Sequence, residues 1–501
     1  MNRKVLSVIL GILIIILTVI LGIRIFVFVN SIKVDLSTID SQYVIKNKGT
    51  YFIKGSSENK TIVVDSSDND VEIMLDNVNI TNENEFINIK SGSNVTIKTN
   101  TNKNNITINN IESKGAIVSN DNLVIKGNGT INIKSNSKGI SVKKDLDINV
   151  NINIDSKEDG IKANNINIEN GKYDIKTLND CIQAENDIFI KTGFFKLNTS
   201  ETDELEVKSN KGIKSENNIT IENGTFDINT IDDAIHSNGN IIINKGNYQI
   251  NTKDDAIHAD KYIEINNGKI DVQTSFEGIE SYRIKINNGT IGINSSDDGI
   301  NAKIVDLDEN TIITEDTKSK IEITGGLITV KSYDDCIDVN NGDIYITGGI
   351  LRLEAFENPK ETNSPFGLLG DVNITGGTVF GVANVGIMSM PSSSSSVNAI
   401  GYYFAKTLEK DIITIKNSKN EEIYKYTPSD KYRYLVYFGS NLVTGETYDI
   451  YIAEEKFDDI TLEDKYVVKA KDNSFMKVYE KYNWYIHNIE EINAIHNTIN
   501  Y

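Results

Sequence analysis

The chain has 501 residues and a formal charge of −20, from 71 acidic and 51 basic side chains, which excludes nucleic acid as a partner because such binding needs Lys and Arg clustered on one face. The same balance suits cation binding, and an acidic ligand would then need a bridging metal. Asn, Ile and Lys are over-represented, and the bulk of that excess reads as codon usage in an AT-rich genome. It does not explain why Asn falls before Gly in Asn170-Gly171, Asn223-Gly224, Asn267-Gly268 and Asn288-Gly289, where corners call for left-handed backbone geometry.

The N-terminus opens with the basic flank Met1-Asn2-Arg3-Lys4, followed by 19 uncharged residues from Val5 to Ile23. As a helix this stretch would span roughly 28 Å, about the thickness of a bilayer core. There is no A-x-A cleavage site after Leu21 and no Cys for lipid attachment, so residues 1–30 are expected to form an uncleaved transmembrane helix. Basic residues before the span place the N-terminus inside and the rest of the chain outside, at the cell surface. Residues 31–40 are expected to be a tether.

Strand-like alternation begins near residue 41, with Thr61–Asp65, Val71–Leu75, Phe86–Lys90 and Val95–Lys98 each apolar on one face and polar on the other. From Lys114-Gly115 onward a repeat becomes legible. Its corner phrase reads Glu158-Asp159-Gly160-Ile161, Asn179-Asp180-Cys181-Ile182, Asp232-Asp233-Ala234-Ile235, Asp254-Asp255-Ala256-Ile257, Phe276-Glu277-Gly278-Ile279, Asp297-Asp298-Gly299-Ile300 and Asp334-Asp335-Cys336-Ile337. Steps of 22, 22 and 21 residues separate Asp233, Asp255, Glu277 and Asp298. A period of that length built from three short strands predicts a solenoid over residues 41–398, in which equivalent side chains stack from coil to coil.

Cys181 and Cys336 fill the small-residue slot of the repeat. About six coils at ~4.8 Å separate them by roughly 29 Å, so no disulfide is expected and both read as apolar plugs. Two insertions leave the repeat, Thr199–Asn210 (with Glu201, Asp203, Glu204 and Glu206) and Lys303–Lys318. After a serine-rich loop at 388–396, residues 399–455 alternate as antiparallel strands and predict a small cap, while 456–501 form a tail without a readable role.

The phrase Asp254-Asp255-Ala256-Ile257-His258-Ala259 with its following strand resembles the clostridial β-helix carbohydrate-binding domain family, related in fold to pectate lyases. Gly49–Gly55, Val71–Thr81, the repeated coils, the serine loop and Leu442–Tyr448 agree in order, so the resemblance covers roughly residues 40–455. It implies an all-β, right-handed parallel β-helix with calcium at coil corners. It also implies affinity for cellulose and pectin-type acidic sugars such as polygalacturonate, with no firmly assigned enzymatic activity. The chain departs from that pattern in its N-terminal span, its tail, and in Asn179, Lys211 and Phe276, which stand where other coils carry acids.

Independently of the resemblance, carboxylates about 5 Å apart in adjacent coils form a like-charge column that a hard divalent cation would offset. The candidate metal ligands are Asp159, Asp180, Asp232, Asp233, Asp254, Asp255, Glu277, Asp297, Asp298, Asp334 and Asp335. The same acids also suit Asx turns that satisfy corner N–H groups. His236 and His258 follow the Asp pairs at one step and read as a stacked pair. Tyr282, Arg283 and Arg352 are candidate sugar contacts, through ring stacking and pairing with a carboxylate. The reading that follows is a monomeric, non-catalytic, calcium-binding polysaccharide binder at the cell surface. A calcium-dependent polysaccharide lyase and an adhesive solenoid without a sugar ligand are the alternatives.

Overall fold

The computed structural model describes residues 29–470 apart from 67–69, 93, 101, 201–208, 304–317, 341, 357–362, 368–370 and 385–387, together with 10, 12–16, 18–19, 478–480 and 483–485. It divides into two compact units, Met1–Glu185 and Asn186–Tyr501. Both contain parallel β-solenoid coils, because each short strand carries alternating apolar and polar residues and pairs with the equivalent strand of the next coil.

In the first unit, the short strands Ile117–Ser119, Ile140–Val142, Ile161–Ala163 and Ile182–Ala184 pair in parallel on one face. Their leading residues Ile117, Ile140, Ile161 and Ile182 share one register and are fully buried. The long strands Leu123–Ser135 and Asp145–Ser156 bend around a corner and supply the other two faces. Ile32–Asp35, in the stretch read as a tether, is already a strand paired in parallel with Gly49–Glu58.

The second unit repeats the arrangement with three ladders of core residues. Ile213, Ile235, Ile257, Ile279, Ile300 and Ile337 stack on the first face. Ile219, Ile241, Ile263, Ile284, Ile321 and Ile344 stack on the second. Phe226, Tyr248, Ile270, Ile291, Ile328 and Leu351 stack on the third. All are buried, each contributing roughly 1.5–3 kcal/mol of transfer free energy against the entropy of ordering the chain. At the corner after Asn267, Gly268 takes φ +128°, and a Cβ there would stand 2.9 Å from the carbonyl oxygen of Gly246 in the coil below. The residue that needs the left-handed geometry is therefore the glycine, while Asn267 Oδ1 accepts its N–H at 2.8 Å. Asparagine also bridges coils: Asn287 Nδ2 donates to Asn266 Oδ1 at 2.7 Å, and Asn266 Nδ2 to Asn244 Oδ1 at 2.8 Å.

The parallel run ends at Thr378–Ala383, which pairs antiparallel with Tyr432–Gly439. That strand pairs antiparallel with Asn398–Leu408, whose other edge takes Tyr466–Ala470 in parallel. A four-stranded antiparallel sheet, Glu422–Tyr426, Ile413–Lys416, Thr447–Ile452 and Glu455–Thr461, packs on it through Phe380, Tyr402, Phe404, Tyr437 and Tyr448. The sheet edge that the last coil would expose is thereby covered. The cap extends past 455 into what was read as tail, and 486–501 lie outside the described residues.

Cys181 and Cys336 form no disulfide and are fully buried. Most of Val5–Ile23 lies outside the described residues, as do 201–208 and 304–317 of the two insertions. No helix among the described residues is long and apolar enough to cross a membrane. Leu10, Ile12–Ile16 and Val19 are helical and exposed.

Candidate functional site

One corner of the second unit stacks three columns of mostly polar side chains, because a phrase of two residues (both polar except at Phe276-Glu277), a small residue and Ile recurs along its coils. The inner column is Lys211, Asp233, Asp255, Glu277, Asp298 and Asp335, fixed by backbone bonds such as Ala234 N to Asp255 O and Gly299 N to Asp335 O. The outer column is Asp232, Asp254, Phe276, Asp297 and Asp334. The third column lies just inside the following strands: Lys214, His236, His258, Glu280, Asn301 and Asp338 share one register.

The inner carboxylates are turned inward. Asp233, Asp255, Glu277 and Asp298 are 2%, 5%, 3% and 8% exposed, so water does not neutralise them and each needs partners. Part of the need is met by the backbone. Asp255 N donates to Asp233 Oδ1 at 3.1 Å, Glu277 N to Asp255 Oδ1 at 3.1 Å, and Asp335 N to Asp298 Oδ1 at 3.0 Å. The turn role expected of these acids is thus exercised between coils.

The compensating charge is distributed unevenly. At the lower end Lys211 Nζ reaches Asp233 Oδ2 at 2.6 Å and also pairs with Asp232, while His236 Nδ1 lies 2.8 Å from Asp233 Oδ2. Burial alone would raise the Asp233 carboxyl, but the His236 hydrogen bond and the charges of Lys211 and His258 hold it well below the usual range. His258 faces Asp255 Oδ2 at 3.3 Å and Asp233 Oδ2 at 3.7 Å with Nδ1, and Glu280 Oε1 at 3.6 Å with Nε2. Burial opposes its charge, yet Asp255, Asp233 and Glu280 push it up to about 9. Lys303 serves Glu280 Oε2 at 2.7 Å and Glu277 Oε1 at 3.4 Å.

At the upper end the pattern changes. Asp298 is pushed up to about 9 by burial, and the charges acting most strongly on it are all negative: Asp338, Asp335, Asp334 and Asp297. Asp335 is raised well above its ordinary value by burial and Asp338, against hydrogen bonds from Ser364 N at 2.7 Å and Ser364 Oγ at 2.8 Å. Burial and Asp297 raise Asp338 as well. Carboxylate oxygens of Asp298, Asp334 and Asp335 lie within 4.8 Å of one another. Gly367 closes over them: a Cβ there would stand 1.7 Å from Asp338 Oδ1 and 3.0 Å from Asp335 Oδ2. Converging oxygens with this spacing suit a hard cation, which takes six to eight oxygen ligands at about 2.3–2.6 Å.

A second set, Asp232, Asp233 and Asp254, shows the same spacing, but Lys211 already occupies it. Lys211→Met is expected to lower metal-free stability by about 1–3 kcal/mol, and added calcium is expected to stabilise this variant more than wild type. Denaturant melts with and without chelator check this, and unchanged melts under both conditions would contradict it. Asp159 and Asp180 belong to the first unit and are buried at an equivalent corner, where Gly160 N donates to Asp180 O. Burial and Asp180 raise Asp159 there, against Lys138 and Lys162.

Of the other candidates, Arg283 lies on a different face from the acids. Its guanidinium stands 5.1 Å from the Tyr282 ring, and it shares a register with Asp187, Asn218, Asn240, Tyr262 and Lys320 along the second face. Below it, Phe189, Thr220, Ile242 and Tyr262 line a shallow groove with Asn218 and Asn240 at its side. Arg352 does not join this face: it stacks 5.4 Å from the Tyr426 ring of the cap, next to Glu354, which holds Tyr426 and Ser429. Sequence reasoning did not single out Glu280, Asp338, Lys303 or Gly367. Glu280 and Asp338 were within reach, since each stands three residues after an inner-column acid, as His236 and His258 do.

Fold and site together define a parallel β-solenoid with an acid-lined corner and a flat face of rings and amides. The model of the family described as carbohydrate-binding domain-containing protein matches residues 39–167, 164–256 and 239–357, and the chain belongs to that family. No curated protein and no solved structure matches the chain.

Proposed function

We propose that the protein binds polysaccharide of the cellulose or pectin type at the cell surface, with calcium at the Asp298, Asp334, Asp335 and Asp338 corner, and does not cleave its ligand. The observation that carries this reading is the family match across the coils that build both the acidic corner and the Arg283 face. Sugar rings present flat C–H faces and hydroxyl edges. Phe189 and Tyr262 offer rings, while Asn218, Asn240, Arg283 and Lys320 offer donors along the same sheet. Calcium supports the second half of the proposal, because it would relieve the crowding of carboxylates at the upper corner and could bridge to uronate groups of an acidic glycan. The right-handed coil sense follows the family resemblance. Surface anchoring rests on the apolar run Val5–Ile23, of which the described part is helical and exposed.

The test incubates purified ectodomain with insoluble cellulose and with immobilised polygalacturonate, in calcium and in chelator. Retention on at least one polymer with no release of unsaturated product is expected. Failure to bind either polymer with calcium present contradicts sugar binding, and accumulating unsaturated product contradicts the non-catalytic reading.

A further inference from the structure

We infer that the first coil of the first unit is a membrane-contact surface that seats on anionic lipid headgroups, so that this part of the solenoid rises from the bilayer end-first. The inference rests on the anchor reading of the N-terminal apolar run and assigns a role to the coil that follows it.

The chain leaves no tether between the run and the coil. Past Arg24 the run continues as Ile25-Phe26-Val27-Phe28-Val29, apolar residues that favour the membrane over water. Val29 and Asn30 are helical, and the first strand opens at Ile32. The three Cα steps from Val29 to Ile32 reach at most about 11 Å. That strand is fixed in the fold. Ile32–Asp35 pairs with Gly49–Glu58, Leu36 N donates to Lys54 O at 2.9 Å, and Val34, Leu36 and Ile45 are buried. The first coil is therefore held close to whatever surrounds Val29.

The coil carries the side chains that such a surface calls for. Ile32 and Val44 are 46% and 40% exposed, and Lys33, Lys46 and Lys48 of the same coil are exposed as well. Ile32–Asp35 and Gln42–Ile45 pair with Gly49–Glu58 and Thr61–Asp65 of the second coil, so their other edges lie at the end of the ladder, where a solenoid needs a cover. Charge then changes sign along the axis. Residues 31–60 hold five Lys and three acids, whereas residues 61–89 hold seven acids and neither Lys nor Arg, in a chain of net charge −20. One of the three acids, Asp35, stands 3.9 Å from Lys54. An anionic surface attracts the first stretch and repels the second, which turns the coil end toward the lipid and the later coils away from it.

The full chain is reconstituted in vesicles with and without anionic lipid, and a fluorophore placed at Val44→Cys or at Asp174→Cys is quenched by headgroup-borne spin labels. Cys181 and Cys336 are buried away from the labelling reagent. Asp174 is exposed six coils further along, roughly 29 Å away at ~4.8 Å per coil. Quenching in anionic vesicles is expected to be at least about three-fold stronger at position 44, and to fall to the level seen without anionic lipid in the Lys33→Gln/Lys46→Gln/Lys48→Gln variant. All substituted positions are exposed, so the core of the coil is untouched. Release of the chain by alkaline carbonate would contradict the anchor and the proposal with it. Retention with equal quenching at the two positions, or with quenching at position 44 that ignores lipid charge and the lysines, would overturn the proposal while the anchor stands.

Discussion

Calcium is expected to raise the melting temperature of the protein, and replacing Asp298 and Asp335 together by Asn is expected to abolish that rise and to make the metal-free protein more stable than wild type. Both effects follow from one cause. Asp298 is buried, and the charges acting most strongly on it are other acids, so ionising it in the folded state is costly without a cation. Its ordinary value of 3.8 is raised to about 9 in the folded chain. A carboxyl raised on folding favours the native state while the native form keeps its proton. That contribution is fully present below about pH 4 and is lost as pH rises toward about 9. Metal-free wild type should therefore lose stability across that window. Calcium should suppress the loss, adding about 2.7 kcal/mol at a hundred-fold excess over Kd. The pair Asp233→Asn and Asp255→Asn should change the calcium response far less, because Lys211, His236 and His258 already stand against those acids. Gly367→Ala provides a check that preserves charge, since its methyl would displace Asp338 Oδ1. Melting curves in chelator and in calcium between pH 5 and pH 9 measure all of these effects. A full calcium response in the Asp298/Asp335 variant would contradict the assignment.

Phe226→Ala is expected to cost about 3–5 kcal/mol, the largest loss of stability anticipated for a single side chain. Phe195, Phe226 and Tyr248 stack at ring distances of 4.6 Å and 4.6 Å with planes 4° and 1° apart, so removing the middle ring breaks two stacked contacts and leaves a cavity in the third face. Chemical denaturation of wild type and variant measures the difference. A loss below about 1 kcal/mol would mean that the coil collapses around the gap.

That stack shows how far the sequence could be read. The repeat, its three strands per coil and the column of corner acids were legible because a parallel coil reproduces the same side-chain direction every turn. Phe195 and Phe226 were not seen as neighbours because the insertion at 199–210 breaks the step between them. The same effect hid the pairing of Asp298 with Asp335, 37 residues apart and joined across the second insertion by a hydrogen bond from Asp335 N to Asp298 Oδ1. Lys211 was noticed only as a missing acid. In the structure it is a charge partner for Asp232 and Asp233, which is why the calcium site is proposed at the other end of the column. Asparagine had read mainly as codon usage, yet Asn244, Asn266 and Asn287 bridge successive coils.

The most direct test of the account is equilibrium binding of wild type and the Asp298→Asn/Asp335→Asn variant to polygalacturonate, in calcium and in chelator. The account predicts binding by wild type in calcium that weakens at least ten-fold in chelator and in the variant. Equal binding by both proteins in both conditions would contradict it.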